Sequence, residues 1–338
     1  MKKIGKGLKI YFLLGLSFTV LTLIPTTNAN AKKILSFPQT APKGYYYDLL
    51  ALKMNEIVSQ KTKGEIEIKS HPGGVLGNDQ ELQAAIKMGT VDLYVLDMGV
   101  MGFTEGGKDF NIIFLPYLFR DQDHFYKFLK SKTFQQMQTD YQAQSGIKVL
   151  GYGGDRGPRQ ITTTKTAVWG PDDLKGVKIR VPKVKTFLEG FSAWGANPTP
   201  MNFPELFSAL QQGVVEGQDN GLDMVESNHF YEVQKYLILT EHVRSGTLLV
   251  TNPKNWEKKF NDKERKIILE ALDEGSKYIS KLVWENEAEG IKRLTNKHGM
   301  RVIIPDVLSF QEKVKGIGPK LDGELWRKGL YEEIQRIK

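Results

Sequence analysis

Hydrophobic and polar positions along this chain follow two rhythms that take turns. Lys33-Ile-Leu-Ser-Phe and Glu65-Ile-Glu-Ile-Lys read as strands, the second half-exposed by its alternation. Between them, Leu49, Leu50, Leu52, Met54, Ile57 and Val58 fall at mostly helical spacing, and Lys63-Gly64 closes that helix. After His71-Pro-Gly-Gly-Val-Leu-Gly, Asn78 is placed to cap a helix running to Met88, and Val91-Asp-Leu-Tyr-Val-Leu reads as a buried strand. Strand–helix units of this size predict a mostly parallel sheet covered by helices. Ligands of such sheets bind beyond the carboxyl ends of the strands. Gln39, Asp79 and Asp97 would lie on that rim.

Further along, Ile112-Ile-Phe-Leu-Pro-Tyr-Leu-Phe precedes a helix expected over 121–143. The strand Ile147-Lys-Val-Leu-Gly-Tyr-Gly-Gly follows, its glycines suggesting a crossing between lobes. A second strand–helix series opens at Arg159. It has strands at 159–164, 177–181 and 214–217, helices at 184–194 and 203–212, and one helical turn from Pro171 to Gly176. Strands at 236–240 and 247–250 return the chain toward the first lobe. Residues 262–297 form one long helical stretch with apolar positions at threes and fours. At 1.5 Å per residue it spans about 50 Å, either a strut between lobes or a dimerising coiled coil, although the repeat is not a sustained heptad. A strand at 300–304 and a helical region complete the chain.

Composition changes the picture mainly at the N-terminus. The formal charge is +8, but residues 1–31 hold four lysines and no acid, which leaves 43 basic against 39 acidic residues beyond them. No basic run marks a nucleic-acid or membrane patch, so nucleic-acid binding is not expected. The basic start, the apolar run from Ile10 to Ile24 and Ala29-Asn-Ala31 read as a secretory signal peptide cut after Ala31. With no cysteine, the chain has no disulfide, no thiolate metal site and no lipoprotein anchor. An exported, unanchored protein of the Gram-negative periplasm is the expectation, with outright secretion the lesser option.

Catalytic signals are missing. The five histidines form no metal-binding pair, and no nucleophile elbow, P-loop or dinucleotide fingerprint occurs. No cofactor is expected. Glu81, Asp97, Asp172, Glu205 and Glu216 could supply an acid–base pair, yet nothing in the sequence places two of them together, and solvated or capping carboxylates are the first reading of each. Tyr45, Tyr46, Tyr47 and Phe203 can wall a pocket or pack in the core. Arg159 and Arg180 stand in apparent strands, where a guanidinium can grip a carboxylate through two parallel hydrogen bonds or sit in an ordinary ion pair.

Longer motifs then point to a family. Thr162-Thr-Thr-Lys, Pro171-Asp-Asp-Leu-Lys-Gly-Val-Lys-Ile-Arg-Val-Pro182, Gly195-Ala-Asn-Pro-Thr-Pro-Met201, Glu205-Leu-Phe-Ser-Ala-Leu-Gln-Gln-Gly-Val-Val-Glu-Gly-Gln218 and Phe230-Tyr-Glu-Val-Gln-Lys-Tyr236 occur in this order. The chain resembles the extracytoplasmic solute receptors of TRAP transporters, the DctP family, over nearly its whole length past the leader. The resemblance implies an α/β, two-lobe periplasmic-binding-protein-like fold with hinge strands and a long lobe-spanning helix. One lobe would take 32–154 and about 244–285, the other 155–243 and about 286–338.

The resemblance also implies a monomeric receptor, not an enzyme, that closes over an organic acid and delivers it to small and large membrane subunits. Arg180 matches the arginine that pairs with the ligand carboxylate, Arg159 and Asn220 match further polar contacts, and Phe203 matches a pocket aromatic. Asp97 and Asp79 match positions that touch hydroxyls or water in sugar-acid members. The sequence departs from the pattern at Gln218-Asp-Asn-Gly221, where the family often reads Gln-Glu-Asn-Pro. Lys183 stands where sialic-acid receptors tend to be neutral, and Arg156 adds a cation near Arg159. Either can read a second carboxylate or extra hydroxyls, or face water. A sugar acid is the favoured ligand and a C4-dicarboxylate the next; a sensory receptor or a sugar-acid-processing enzyme on the same fold are the rival readings.

Overall fold

The computed structural model describes residues 32–338, and the leader read over 1–31 lies outside them. The first elements are β1 (Lys33–Pro38), α1 (Tyr46–Lys61), β2 (Ile66–His71), α2 (Asp79–Met88) and β3 (Leu93–Asp97). After two 3-10 segments come α3 (Gln122–Leu129), α4 (Lys132–Ser145), β4 (Lys148–Asp155) and β5 (Gln160–Thr163). Next are β6 (Lys178–Val181), α5 (Lys185–Ala193), β7 (Asn197–Pro200), α6 (Leu206–Gln211), β8 (Gly217–Asn220), α7 (Leu222–Ser227) and β9 (Tyr236–Ile238). The chain ends with β10 (Gly246–Thr251), α8 (Pro253–Lys259), α9 (Asp262–Lys292), β11 (Arg301–Ile303), α10 (Val307–Val314), α11 (Ile317–Leu321) and α12 (Leu330–Gln335).

These strands build two lobes. One carries the three-stranded sheet β3-β10-β4 beside the parallel pair β1-β2; the other carries the six-stranded sheet β11-β9-β5-β8-β6-β7. The mostly parallel sheet expected of the first lobe is corrected here. Within that lobe only β1 and β2 pair parallel, because β10 returns from far along the chain and inserts antiparallel between β3 and β4. A local strand–helix rhythm does not reveal a partner about 150 residues away.

The chain crosses between the sheets three times, as extended segments at 156–159 and 239–245 and again by way of α9 between β10 and β11, and the two extended crossings are tied to each other. Arg156 N–H donates to Ser245 O (3.2 Å), Arg159 N–H to Val243 O (2.9 Å) and His242 N–H to Arg159 O (3.2 Å). These are the hinge strands. α9, at 31 residues, is about 46 Å long. It packs on β4 and α1 toward one end and on α7 toward the other. Its apolar face (Ile268, Ala271, Leu272, Ile279, Val283) is buried within this chain, which leaves no seam for a coiled coil. Two glycines of β4 pack against this helix: a Cβ at Gly151 would meet Leu272 at 3.1 Å, and at Gly154, which adopts φ +118°, it would meet Ile279 at 2.8 Å.

Other departures have local causes. The helix expected over 121–143 is two, because Ser131 caps α4 by accepting from Phe134 N–H (3.1 Å). The helix expected from Phe203 begins as a 3-10 turn, with α6 starting only at Leu206. The strand expected at 214–217 lies instead at the polar β8, whose four residues are all buried between β5 and β6. The long helix ends at Lys292 in a widened turn, Arg293–Lys297.

Candidate functional site

β5, β6 and β8 lie side by side in the larger sheet, and their ends bring Arg159, Arg180 and Asn220 to one cavity. The first lobe and the crossing add Thr40, Tyr47, Asp79, Asp97 and Arg156. The cavity is small, ≈ 60 Å³. A larger groove of ≈ 350 Å³ opens near Tyr117 and Arg120. There Arg120 already donates to the carbonyls of Gln335 and Ile337, and Lys315 pairs with Glu312. The arginine cavity is the candidate site, because its charges are buried and Arg180 has no carboxylate partner among the described residues.

The three guanidiniums differ in what neutralises them. Arg159 donates from Nε to Asp219 Oδ2 (2.5 Å) and from Nη2 to the Asp219 carbonyl (2.6 Å). Its guanidinium also lies 5.1 Å from the Phe187 ring centre. Arg156 pairs through Nη1 with Asp97. Arg180, only 3% exposed, donates from Nε (3.1 Å) and Nη2 (2.7 Å) to the Met201 carbonyl. Among the described residues no carboxylate lies within salt-bridge distance of it. Both of those bonds leave along one edge of the planar group, so the Nη1/Nη2 edge stays open for a second planar partner. Burial pulls the Arg180 pKa down to about 10, and it remains a cation at neutral pH. The Phe203 ring centre lies 5.8 Å from it.

Asp219 is fully buried and receives a third donor, His242 Nε2, at 3.2 Å. Burial alone would raise its pKa, but Arg159 and the hydrogen bonds outweigh it and hold the carboxyl well below the usual range. Burial lowers the His242 pKa more than Asp219 raises it. A neutral imidazole with its proton on Nε2 fits both neighbours, since Thr240 Oγ1 can donate to Nδ1 at 2.8 Å.

Residues 37–320 match the model of the family described as bacterial extracellular solute-binding protein, family 7 (DctP). The chain belongs to this family. It is 31% identical over 278 residues to the 2,3-diketo-L-gulonate-binding periplasmic protein YiaO of Escherichia coli K12, covering 82% of this chain and 83% of that one. With the sialic acid-binding periplasmic protein SiaP of Vibrio cholerae it shares 28% identity over 92% of this chain and 95% of that one. A TRAP periplasmic solute binding protein from Polaromonas sp. JS666, bound to D-erythronate, superposes with TM-score 0.83 at 31% identity, covering 91% and 99% of the two chains. The Roseobacter denitrificans counterpart with bound L-galactonate gives 0.81 at 27%, covering 90% and 98%.

Of the positions singled out from the sequence, this family 7 protein gathers Arg156, Arg159, Arg180, Asn220, Phe203, Asp79 and Asp97 around the cavity. Asp97 does not present a free oxygen there. Oδ1 accepts from Gly99 N–H (3.0 Å), and Oδ2 accepts from Ser245 Oγ (2.9 Å) and Arg156. Asp79 Oδ1 accepts from Tyr94 Oη (2.6 Å) and Thr40 Oγ1 (3.3 Å), and burial raises its pKa. Its second oxygen has no hydrogen-bond partner among the described residues. Asn220 donates to Gln218 Oε1 (2.6 Å), which leaves its own carbonyl oxygen to the cavity.

Two expected positions are not brought in. Lys183 is exposed and outside the lining, because it follows the strand end and points to solvent. Gln39 is wholly buried and bonded to Ser70 at 3.0 Å in either orientation of its amide, so it braces the β1 loop instead. Asp219, His242 and Thr40 were missed by sequence reasoning. Asp219 lies inside the Gln218-Asp-Asn-Gly221 stretch, but nothing in the sequence tells that it faces Arg159, 60 residues away.

Proposed function

We propose that this protein is a periplasmic TRAP receptor that captures a monocarboxylate sugar acid and delivers it to the membrane subunits of its transporter. Arg180 carries the reading. A buried guanidinium with one edge on a carbonyl and no carboxylate partner among the described residues is built for a carboxylate brought by the ligand. Arg159, already neutralised by Asp219, and Asn220 then supply hydrogen bonds without excess charge, and Phe203 walls the site. Solved relatives bound to D-erythronate and L-galactonate support an acid of this class.

The small cavity sits between sheets joined by two hinge strands, so entry of a six-carbon acid requires the lobes to part and then close. Closure excludes water and strengthens the Arg180–carboxylate pair, with desolvation offsetting part of the gain. The reading is binding without turnover. The test is a thermal-shift screen of the purified protein against sugar acids, C4-dicarboxylates and keto acids. A ligand that binds only the folded state raises the melting temperature by mass action. A panel in which no sugar acid stabilises the protein would remove the reading.

A further inference from the structure

Arg156 is the cavity residue that the carboxylate-binding reading does not use. It lies at the end of β4 with its backbone tied to Ser245, and it is 7% exposed. Nη1 is engaged by Asp97, whose carboxylate is held in turn by Ser245 and the Gly99 N–H. Nε and Nη2 have no hydrogen-bond partner among the described residues, and the side chain lines the cavity. Arg156 and Arg180 stand in different surroundings. The groups acting most on Arg156 are Tyr45, Tyr47, Asp97 and Asp223, whereas those on Arg180 are Asp219, Arg159, Asp79 and Glu205. Arg156 is held against Asp97 at the end of β3, whereas Arg180 of β6 is held against the Met201 carbonyl, so the two arginines enter the cavity from the sheets of different lobes.

Resting on the sugar-acid reading, we propose that the Arg156–Asp97 pair is a second subsite on the first-lobe side of the cleft, which donates hydrogen bonds to an uncharged ligand oxygen other than the carboxylate held by Arg180 and selects a monocarboxylate over the matching dicarboxylate. The reason is charge. A hydroxyl can accept from Nε or Nη2 while Asp97 keeps the guanidinium neutralised. A second carboxylate would share one cation with Asp97 in a buried site, and the like charges would repel with little water to screen them. Discrimination of this kind comes from an unfavourable pairing built against the wrong ligand. Arg180 is the one cavity guanidinium without a carboxylate partner among the described residues, so the cleft accommodates one anionic group.

The experiment is calorimetric titration of the purified protein with three matched pairs: D-erythronate and meso-tartrate, gluconate and glucarate, L-galactonate and galactarate. In each pair the acids differ only in oxidation of the terminal hydroxymethyl group. The wild type is expected to bind at least one hydroxy monoacid tenfold or more tightly than its diacid. Asp97→Asn frees the charge of Arg156 and should shift that ratio toward the diacid by about tenfold. Arg156→Gln keeps a donor and should lose several-fold in monoacid affinity, and Arg156→Met should lose tenfold or more. Should Asp97→Asn fail to fold, the two Arg156 variants carry the test. A diacid bound as tightly as its monoacid, or Arg156→Met with wild-type affinity, overturns this inference and leaves the sugar-acid reading standing. Binding of none of the six acids takes both down.

Discussion

Asp219 grips Arg159 twice, once with its carboxylate and once with its own backbone carbonyl, at 2.5 and 2.6 Å. The doubled contact fixes the guanidinium plane and neutralises its charge, while Arg180, in the neighbouring part of the sheet, has no carboxylate within salt-bridge distance among the described residues. The division of labour between these arginines sets out most of what can be measured.

Removing Asp219 strands Arg159 in a buried site. Asp219→Ala should cost about 3–5 kcal/mol of stability, as expected for breaking one partner of a buried pair. Urea unfolding measures it, and a loss below about 1 kcal/mol would contradict the pairing. The pH dependence follows from a carboxyl held below its unfolded value. Its stabilisation is present above the unfolded pKa near 4 and is lost as acid protonates it. Asp219→Asn should therefore flatten the acid limb of the stability curve below pH 4.

For Arg180 the effects on binding and folding should have opposite signs. Arg180→Ala should weaken ligand binding about a hundredfold or more, given about 2–5 kcal/mol for a truncated buried pair. Arg180→Lys keeps the charge without the planar fork and should also bind poorly. Without ligand, the buried charge is a cost, so Arg180→Met should melt at the same or a higher temperature than wild type. Calorimetric titration and ligand-free melting together check the pair of signs.

Glu287 on α9 presses on the first hinge strand: a Cβ at Gly157 would lie 2.5 Å from its carboxylate. Burial, then Asp223 and Glu241, push its pKa up to about 8. The folded state thus binds a proton that the unfolded chain releases near pH 4.5, and stability should fall as pH rises from about 4.5 to 8. Glu287→Gln should remove that decline in melting temperature, and an unchanged slope would count against it.

Asp155, at the end of β4, accepts from Tyr126 Oη (2.6 Å), Trp284 Nε1 (2.9 Å) and Tyr152 Oη, which tie α3 and α9 to β4 just before the first hinge strand. Asp155→Ala leaves these donors short of their shared acceptor and should cost about 2–4 kcal/mol. It should also change Trp284 emission, which urea unfolding monitored by tryptophan fluorescence reads directly.

Much of the fold was legible from short-range pattern. β1, α1 and β2, the Asn78 cap of α2, and the long run of α9 are each written in a few consecutive residues, because caps and periodicity act locally. Ser131 broke one expected helix for the same local reason. The polar β8 was misplaced because its burial comes from two flanking strands and not from its own hydrophobicity.

The sequence by itself determined the family, the α/β lobes and the arginines worth watching, since long motifs in order identify a fold without showing contacts. Only the tertiary structure decided which arginine is free. Arg156, Arg159 and Arg180 are alike as letters; Asp97 and Asp219, brought from 59 and 60 residues away, neutralise the first two, and no described carboxylate reaches the third. Whether a charge is compensated depends on distance and burial, and those exist only once the sheets have closed on one another.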